Sequence, residues 1–458
     1  MSETLSHAHA SLRECHGCGL VQFIPVMGRD AQALCRRCGV TLRRTRPNSS
    51  NRALALTVTS LVLYVVAITA PFLTVDLLGK HQQSTMLTLP AAFVADGAWE
   101  LGLVVLITAI IMPAAKIIVM LLVLVGLRVQ HPPHSLPRIF RYYERIGPWA
   151  MVEVFLLGTF VAFTRLGAIA RVETGVALYA LGGLMLTMVL ADAVLDADTV
   201  WERMEALHLV PPPEQDQRTG PLLGCDDCSR VNHAPAGAAC SRCGSILRLR
   251  KPDSLQRTWA LLGAAAILYI PANVFPVMTV IQLGQGAPST ILGGAQELLV
   301  AGMWPLALLV FVASIIVPVL KLVSLILMLV QTRLGSDWRL RDRTRLYRVV
   351  ELIGRWSMVD VFMLATLVGL VRDGRIANIT PGLGAVCFAA VVVLTMFASQ
   401  SFDPRLMWDA AGKSAQAGSS KAGSPKAGSA KAGSAKADIS RGRINQAGAA
   451  EALHSRTA

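Results

Sequence analysis

The chain has 458 residues, 53% of them hydrophobic and 16% charged, with a mean hydropathy of +0.51 and a formal charge of +14. Average soluble domains carry about 25% charge, so the composition argues against one large soluble core and against disorder over most of the chain. Aromatics are sparse and the basic residues flank apolar segments, which points to a membrane protein with basic cytoplasmic loops and no nucleic-acid partner.

Residues 1–50 carry the first motif, Cys15-x2-Cys18-x16-Cys35-x2-Cys38. They contain no apolar run of the kind a cleavable signal peptide needs. Paired dithiols at this spacing suit a tetrahedral four-thiolate Zn²⁺ site in a reducing compartment, with rubredoxin-like iron or a thiol redox couple as alternatives. A four-thiolate site is closed, so its default role is structural, and so small a module does not fold without metal. The residue after each pair is Gly19 or Gly39 here, where a positive φ lets backbone amides approach sulfur. His16 reads as a bystander, as does His233 further on.

Residues 51–195 form a first membrane repeat. A bilayer core about 30 Å thick needs about 20 apolar helical residues. Residues 53–75 carry no charge, 101–127 only Lys116, 146–164 only Glu153, and 174–191 none. Residues 196–254 form a linker, its start marked by Pro211-Pro-Pro213, and a second module, Cys225-x2-Cys228-x11-Cys240-x2-Cys243. Gly244 follows the last pair; Ser229 is the exception. Residues 255–403 repeat the apolar pattern: 258–280 is uncharged, 298–332 has only Lys321, 356–371 only Asp360, and 376–402 none. That makes about eight spans, the two shortest (174–191 and 356–371) being candidates for re-entrant segments. Cys387 is the ninth cysteine, inside the last apolar run. Residues 404–458 read as a disordered cytoplasmic tail, because Lys-Ala-Gly-Ser recurs at Lys421, Lys426 and Lys431. Gly412-Lys413-Ser414 is not a nucleotide loop, since Met407 stands where its first glycine belongs.

Arginines cluster before the first span (Arg43, Arg44, Arg46, Arg52), after the second (Arg128 to Arg145) and after the sixth (Arg333 to Arg355), whereas the loop after span one has only Lys80. Both termini, both cysteine modules and the basic loops are therefore expected on the cytoplasmic side. The halves are copies: Cys35/Cys240, Tyr64/Tyr269, Pro113/Pro318 and Lys116/Lys321 differ by 205, and Trp149/Trp356, Glu153/Asp360 and Trp201/Trp408 by 207. With an even number of spans each, the two enter the membrane in the same sense, as a parallel repeat.

Pro113 and Pro318 interrupt long apolar helices at equivalent places and free the carbonyls of Ala109 and Ser314. Lys116 and Lys321 follow on nearly the same face, and Glu153 and Asp360 lie in the next span. The pairings expected are Lys116–Glu153 and Lys321–Asp360, because a lone charge in a bilayer costs several kcal/mol. Thr187 and Thr395 are candidates for the same networks. Two readings stand: helix-to-helix glue, or a polar site that senses protons or handles a lipid headgroup.

These features together resemble the paraquat-inducible protein A family (PqiA/LetA) over nearly the whole chain except the tail. The resemblance rests on the duplicated four-cysteine modules, the Pro-x-x-Lys span, the segments Trp149-Ala-Met-Val-Glu153-Val-Phe and Trp356-Ser-Met-Val-Asp360-Val-Phe, and the closing Phe402-Asp-Pro-Arg-Leu-Met-Trp408. The first half ends more loosely, at Leu195-Asp-Ala-Asp-Thr-Val-Trp201. The resemblance implies a non-enzymatic, multi-pass protein of the bacterial inner membrane. Its partner would be a periplasmic MCE-domain protein, an oligomeric tunnel into or out of which it would pass phospholipid. The residues themselves yield an all-α polytopic protein with two tandem four-helix repeats, each preceded by a small cytoplasmic zinc ribbon. A stand-alone ion-coupled solute transporter and a membrane thiol oxidoreductase are the competing classes.

Overall fold

The computed structural model describes residues 11–28, 31–46, 49–77, 80–167, 171–211, 221–282, 285–373 and 377–412. The first cysteine module is two hairpins, β1 (Ser11–Glu14) with β2 (Val21–Ile24) and β3 (Gln32–Leu34) with β4 (Thr41–Arg44). The first repeat follows: α1 (Ser49–Thr69), β5 (Leu73–Leu77), β6 (Lys80–Ser84), α2 (Thr88–Ala95), α3 (Trp99–Val105), α4 (Met112–Gly126), α5 (Leu136–Ile146), α6 (Val152–Gly167), β7 (Arg171–Thr174), α7 (Val176–Val194) and α8 (Ala197–Ala206). The hairpin β8 (Leu222–Gly224) and β9 (Val231–His233) belongs to the second module. The second repeat is α9 (Ser254–Val274), β10 (Met278–Gln282), β11 (Gln285–Ser289), α10 (Ile291–Val300), α11 (Trp304–Phe311), α12 (Val317–Arg333), α13 (Leu340–Ile353), α14 (Val359–Leu370), β12 (Arg372–Asp373), β13 (Ala377–Pro381) and α15 (Leu383–Ser401).

Seven helical runs are long and apolar enough to cross a membrane among the described residues. The eighth expected span, 258–280, is the helix α9, which falls outside those seven; it ends at Val274, after Pro271 and Asn273, and gives way to β10. The ends of other expected spans are likewise strands. β5 and β10 begin sheets of order β6-β5-β7 and β11-β10-β13-β12 at the end of the molecule away from the cysteine modules. Gly175 and Gly382 are equivalent, and no side chain fits there, because a Cβ would strike the Pro71 and Pro276 carbonyls.

Each proline leaves its helix unbroken. A π-helical turn precedes it, at Leu106–Ile111 and Val312–Ile316, so that one inserted residue absorbs the missing N–H and the ring's clash. The Tyr64 hydroxyl donates to the Ile110 carbonyl (2.8 Å) in the first of these turns.

The halves meet along α6 and α14. Phe155 and Phe362 stack edge to face with centroids 5.5 Å apart, and the hydroxyls of Thr159 and Thr366 lie 3.4 Å apart. Both pairs join equivalent residues, so the pseudo-two-fold axis runs between these helices. Close approach requires Gly158, whose Cβ would lie 2.8 Å from Phe362 Cβ. Every residue of α14 is buried, which lets a helix of 12 residues sit at membrane depth without spanning it alone.

The cysteine modules are exchanged across this axis. The first clusters with Leu322, Leu325, Tyr347, Phe402 and Trp408 of the second half; the second clusters with Met120, Leu136, Phe140 and Trp201 of the first. Arg37 lies 4.4 Å over the Trp408 ring, and its equivalent Arg242 lies 5.6 Å over Trp201. The expected disordered tail is corrected at its start: residues 405–412 are helical. They bury Arg405, Met407 and Trp408, because this amphipathic stretch closes the second half against the first module. Residues 413–458, with Lys421, Lys426 and Lys431, lie outside the described residues, as do residues 1–10 and 212–220.

Candidate metal centres and an intramembrane polar cluster

Each of the four Cys-x-x-Cys pairs forms the same tight knuckle. The amide of the residue after the pair donates to the carbonyl of the first cysteine: Gly19 to Cys15 (2.8 Å), Gly39 to Cys35 (2.8 Å), Ser229 to Cys225 (3.0 Å) and Gly244 to Cys240 (3.0 Å). All four adopt positive φ, Ser229 included, at 58°. The Ser229 hydroxyl pairs with His16 Nε2 (3.0 Å), so the one non-glycine knuckle is held from the other module.

The knuckles bring Cys15, Cys18, Cys35 and Cys38 into one buried group and Cys225, Cys228, Cys240 and Cys243 into a second, with each group's sulfurs within 4.8 Å of one another. Sulfur separations of 3.4 Å (Cys15–Cys38), 3.6 Å (Cys18–Cys35), 3.5 Å (Cys225–Cys243) and 3.6 Å (Cys228–Cys240) are close to the ~3.8 Å edge of a tetrahedron with metal–sulfur bonds of about 2.3 Å. None of the eight is in a disulfide. Both groups can hold a metal ion. Side-chain amides support equivalent sulfurs: Gln22 Nε2 donates to Cys35 (2.9 Å) and Asn232 Nδ2 to Cys240 (3.6 Å), the outer contacts that orient metal ligands. His16 and His233 belong to neither group.

Between the modules lies an ion-pair hub. Arg405 binds Asp403 (3.0 Å), Glu14 (3.2 Å) and Asp226 (3.0 Å), and Glu14 also accepts from the Gly224 amide (2.8 Å). Burial opposes ionisation of Asp403, but the Arg405 guanidinium and the amides of Lys251 and Arg405 outweigh it and hold the carboxyl below its ordinary range. Its equivalent, Asp196, caps α8 through the Asp198 amide (3.0 Å). Burial is the largest influence there and leaves the carboxyl above its ordinary value.

Within the membrane segments the expected pairings do not form. Lys116 donates to Asp192 (2.5 Å), and the Tyr143 hydroxyl donates to the other Asp192 oxygen. Glu153 faces Arg355 across the halves (3.9 Å). Thr187 accepts from Ser60 (2.9 Å) on α1, whereas Thr395 bonds its own helix at the Val392 carbonyl (2.9 Å). Lys321 is 2% exposed, Asp360 9%. Lys321 Nζ has no hydrogen-bond partner among the described residues, nor has Asp360 Oδ1; the other Asp360 oxygen accepts from Ser314, beside Pro318. Lys321 Nζ lies close to Gly354, where a Cβ would come within 2.7 Å of it. The asymmetry has a sequence cause: Ser399 stands at the position of Asp192. Asp192, Tyr143 and Arg355 lie just outside the apolar runs, and charge within those runs does not point to them. Asp192 sits one residue beyond the run 174–191, and that was the available signal.

The chain is thus a duplicated polytopic membrane protein with crossed four-cysteine modules and one half holding uncompensated polar groups. The paraquat-inducible protein A family matches it twice, over residues 50–205 and 255–412, and the chain belongs to that family. It is 33% identical over 418 residues to intermembrane transport protein PqiA of Escherichia coli, covering 89% of this chain and 98% of that one. It is 29% identical over 406 residues to lipophilic envelope-spanning tunnel protein A of the same organism, covering 87% and 91%. A probable intermembrane transport protein of Haemophilus influenzae is 26% identical over 413 residues, covering 86% and 94%. No solved structure matches the chain.

Proposed function

We propose that this protein is the inner-membrane component of an intermembrane phospholipid transport system, passing lipid into or out of a periplasm-spanning MCE-protein oligomer without catalysing a reaction. Relatives that cover nearly the whole chain are named intermembrane transport proteins, and one of them an envelope-spanning tunnel protein. Both termini and both modules face the cytoplasm in this reading, in keeping with the arginines beside them. Zinc fills the two thiol groups: four thiolates at tetrahedral spacing suit Zn²⁺, whose role here is to hold each module's fold. Eight thiols gathered into two buried tetrads count against a thiol oxidoreductase.

The observation that carries the transport reading is the buried, unpaired Lys321 with Asp360 in the next span. Ions left uncompensated at membrane depth are costly and mark pathways or proton relays. Pro318 and Thr395 are the other candidates of that half; the closed counterpart is Lys116, one turn after Pro113 and held with Tyr143 on Asp192, while Glu153 faces Arg355 and Thr187 accepts from Ser60. Lys321→Ala or Asp360→Ala is expected to abolish rescue of the outer-membrane barrier in a deletion strain at normal protein levels. Full rescue by both variants sinks the reading. Solute flux in liposomes holding this chain alone would favour a stand-alone transporter.

A further inference from the structure

Where the first module meets the ends of α5 and α7, the chain forms an open cavity of about 540 Å³. Ala193 and Leu195, at the carboxyl end of α7, line it, with Arg44 and Arg46 from the first module and the carboxylates Glu144 and Asp196. Arg46 stands three residues before α1 and Leu195 directly after α7. Both helices are membrane-crossing runs, so the cavity lies at the level of lipid headgroups. Among the described residues, the guanidinium groups of Arg44 and Arg46 have no ion pair or hydrogen bond.

The second half shows what this place wants. Lys251 is the equivalent of Arg46, and its ammonium donates to the carbonyls of Gln400 (2.6 Å) and Phe402 (3.3 Å). Those two residues are the equivalents of Ala193 and Leu195. Beside them Arg405, equivalent to Asp198, closes on Asp403 (3.0 Å). One half therefore satisfies its helix carboxyl end with its own ammonium; in the other the equivalent residues line a cavity and no lysine reaches them. Two arginines suit a phosphate there, as bidentate donors.

We propose that this cavity binds a phosphate ester carrying a primary ammonium arm, the headgroup of an aminophospholipid. Arg44 and Arg46 hold the phosphate. The ammonium takes the place that Lys251 fills in the other half, at the Ala193 and Leu195 carbonyls, with Glu144 and Asp196 balancing its charge. This deepens the lipid-transport reading and rests on it.

The test is native mass spectrometry of the full chain in detergent, titrated with dihexanoyl phosphatidylethanolamine, dihexanoyl phosphatidylglycerol, glycerophosphoethanolamine and inorganic phosphate. The ethanolamine lipid is expected to bind about tenfold more tightly than the glycerol lipid. The Arg44→Gln/Arg46→Gln variant should lose both, and Glu144→Gln only the preference, with retained metal mass showing that each variant is folded. Glycerophosphoethanolamine binding as well as the lipid supports the headgroup chemistry and places its source in the aqueous phase. Inorganic phosphate binding as well as either overturns the proposal. If the double variant binds ethanolamine lipid like the parent, this site falls and the transport reading stands. If the parent binds no lipid, both fall.

Discussion

The two halves share a backbone and leave different polar groups unsatisfied. Among the membrane helices the first half closes on itself through Lys116, Asp192 and Tyr143, while Lys321 in the second has no hydrogen bond or ion pair among the described residues and feels only the charge of Glu351. At the cysteine-module end the order reverses: Lys251 and Arg405 fill the second half, and the first keeps a cavity. Single exchanges account for this, Asp192 against Ser399, Arg46 against Lys251, and Asp198 against Arg405. Duplication preserved the scaffold, and a few polar positions made the copies unequal.

The largest expected effect breaks the comparison outright. Cys15→Ser removes one of the four thiols that can hold a metal ion; with zinc there, as proposed above, such a site contributes about 10–16 kcal/mol, as much as the whole margin of an ordinary domain. Metal analysis should find one ion instead of two. Because the modules are exchanged, proteolysis should then open the second half, near Phe402 and Trp408. Cys225→Ser should open the first, near Phe140 and Trp201. Cleavage in the half that follows each module in the chain would show that the modules sit uncrossed.

Next come the two lysines. Lys116→Met orphans Asp192, a loss of about 1–3 kcal/mol because Asp192 is partly exposed and keeps Tyr143; thermal unfolding should fall while transport persists in part. Lys321→Met removes an ammonium that has no hydrogen bond among the described residues and only the more distant charge of Glu351, so unfolding should hold steady or rise while transport stops. Equal losses of stability in both would mean that Lys321 has a partner in the membrane.

Much of this was legible in the residues. The repeat offsets, the knuckles and the Pro-x-x-Lys spans placed the modules and the membrane helices, since spacing fixes what a zinc site or an apolar helix requires. Three things were not legible. Strands β5 and β10 continue apolar runs such as Phe72-Leu-Thr-Val, and hydropathy does not separate a strand from a helix there. The partner of Lys116 depended on helix packing, which chose Asp192 over the equally plausible Glu153. Exchange of the modules across the axis leaves no mark on spacing, because each module precedes its own repeat either way.

A smaller effect separates the equivalent carboxylates Asp403 and Asp196 by pH. Asp403 is held below its ordinary range, so its contribution is present above its unfolded value near 3.9 and lost as pH falls through the lower folded value. Asp403→Asn should cost about 2 kcal/mol at neutral pH and nothing once the parent is itself protonated. Asp196, raised by burial, runs the other way: its folded form gains on protonation. Asp196→Asn keeps a good helix cap and should be neutral or slightly stabilising at pH 7. Unfolding measured from pH 7 down to pH 3 distinguishes the two, and matching slopes would remove the asymmetry.

The finest test lies in the paired arginine–tryptophan contacts that seat the modules. Arg37 stands 4.4 Å from the Trp408 centroid and Arg242 5.6 Å from that of Trp201. A cation over an aromatic face contributes about 0.5–2 kcal/mol, more at short range and out of water. Arg37→Ala should therefore cost about 1 kcal/mol and Arg242→Ala about half that. The single losses matter less than their coupling. In double-mutant cycles, Arg37 should couple to Trp408 and not to Trp201, although Trp201 closes the repeat that directly follows Arg37 in the chain. Coupling to Trp201 instead would place the first module over its own half, and would leave no reason for the second half alone to close its module-facing corner with Lys251 and Arg405.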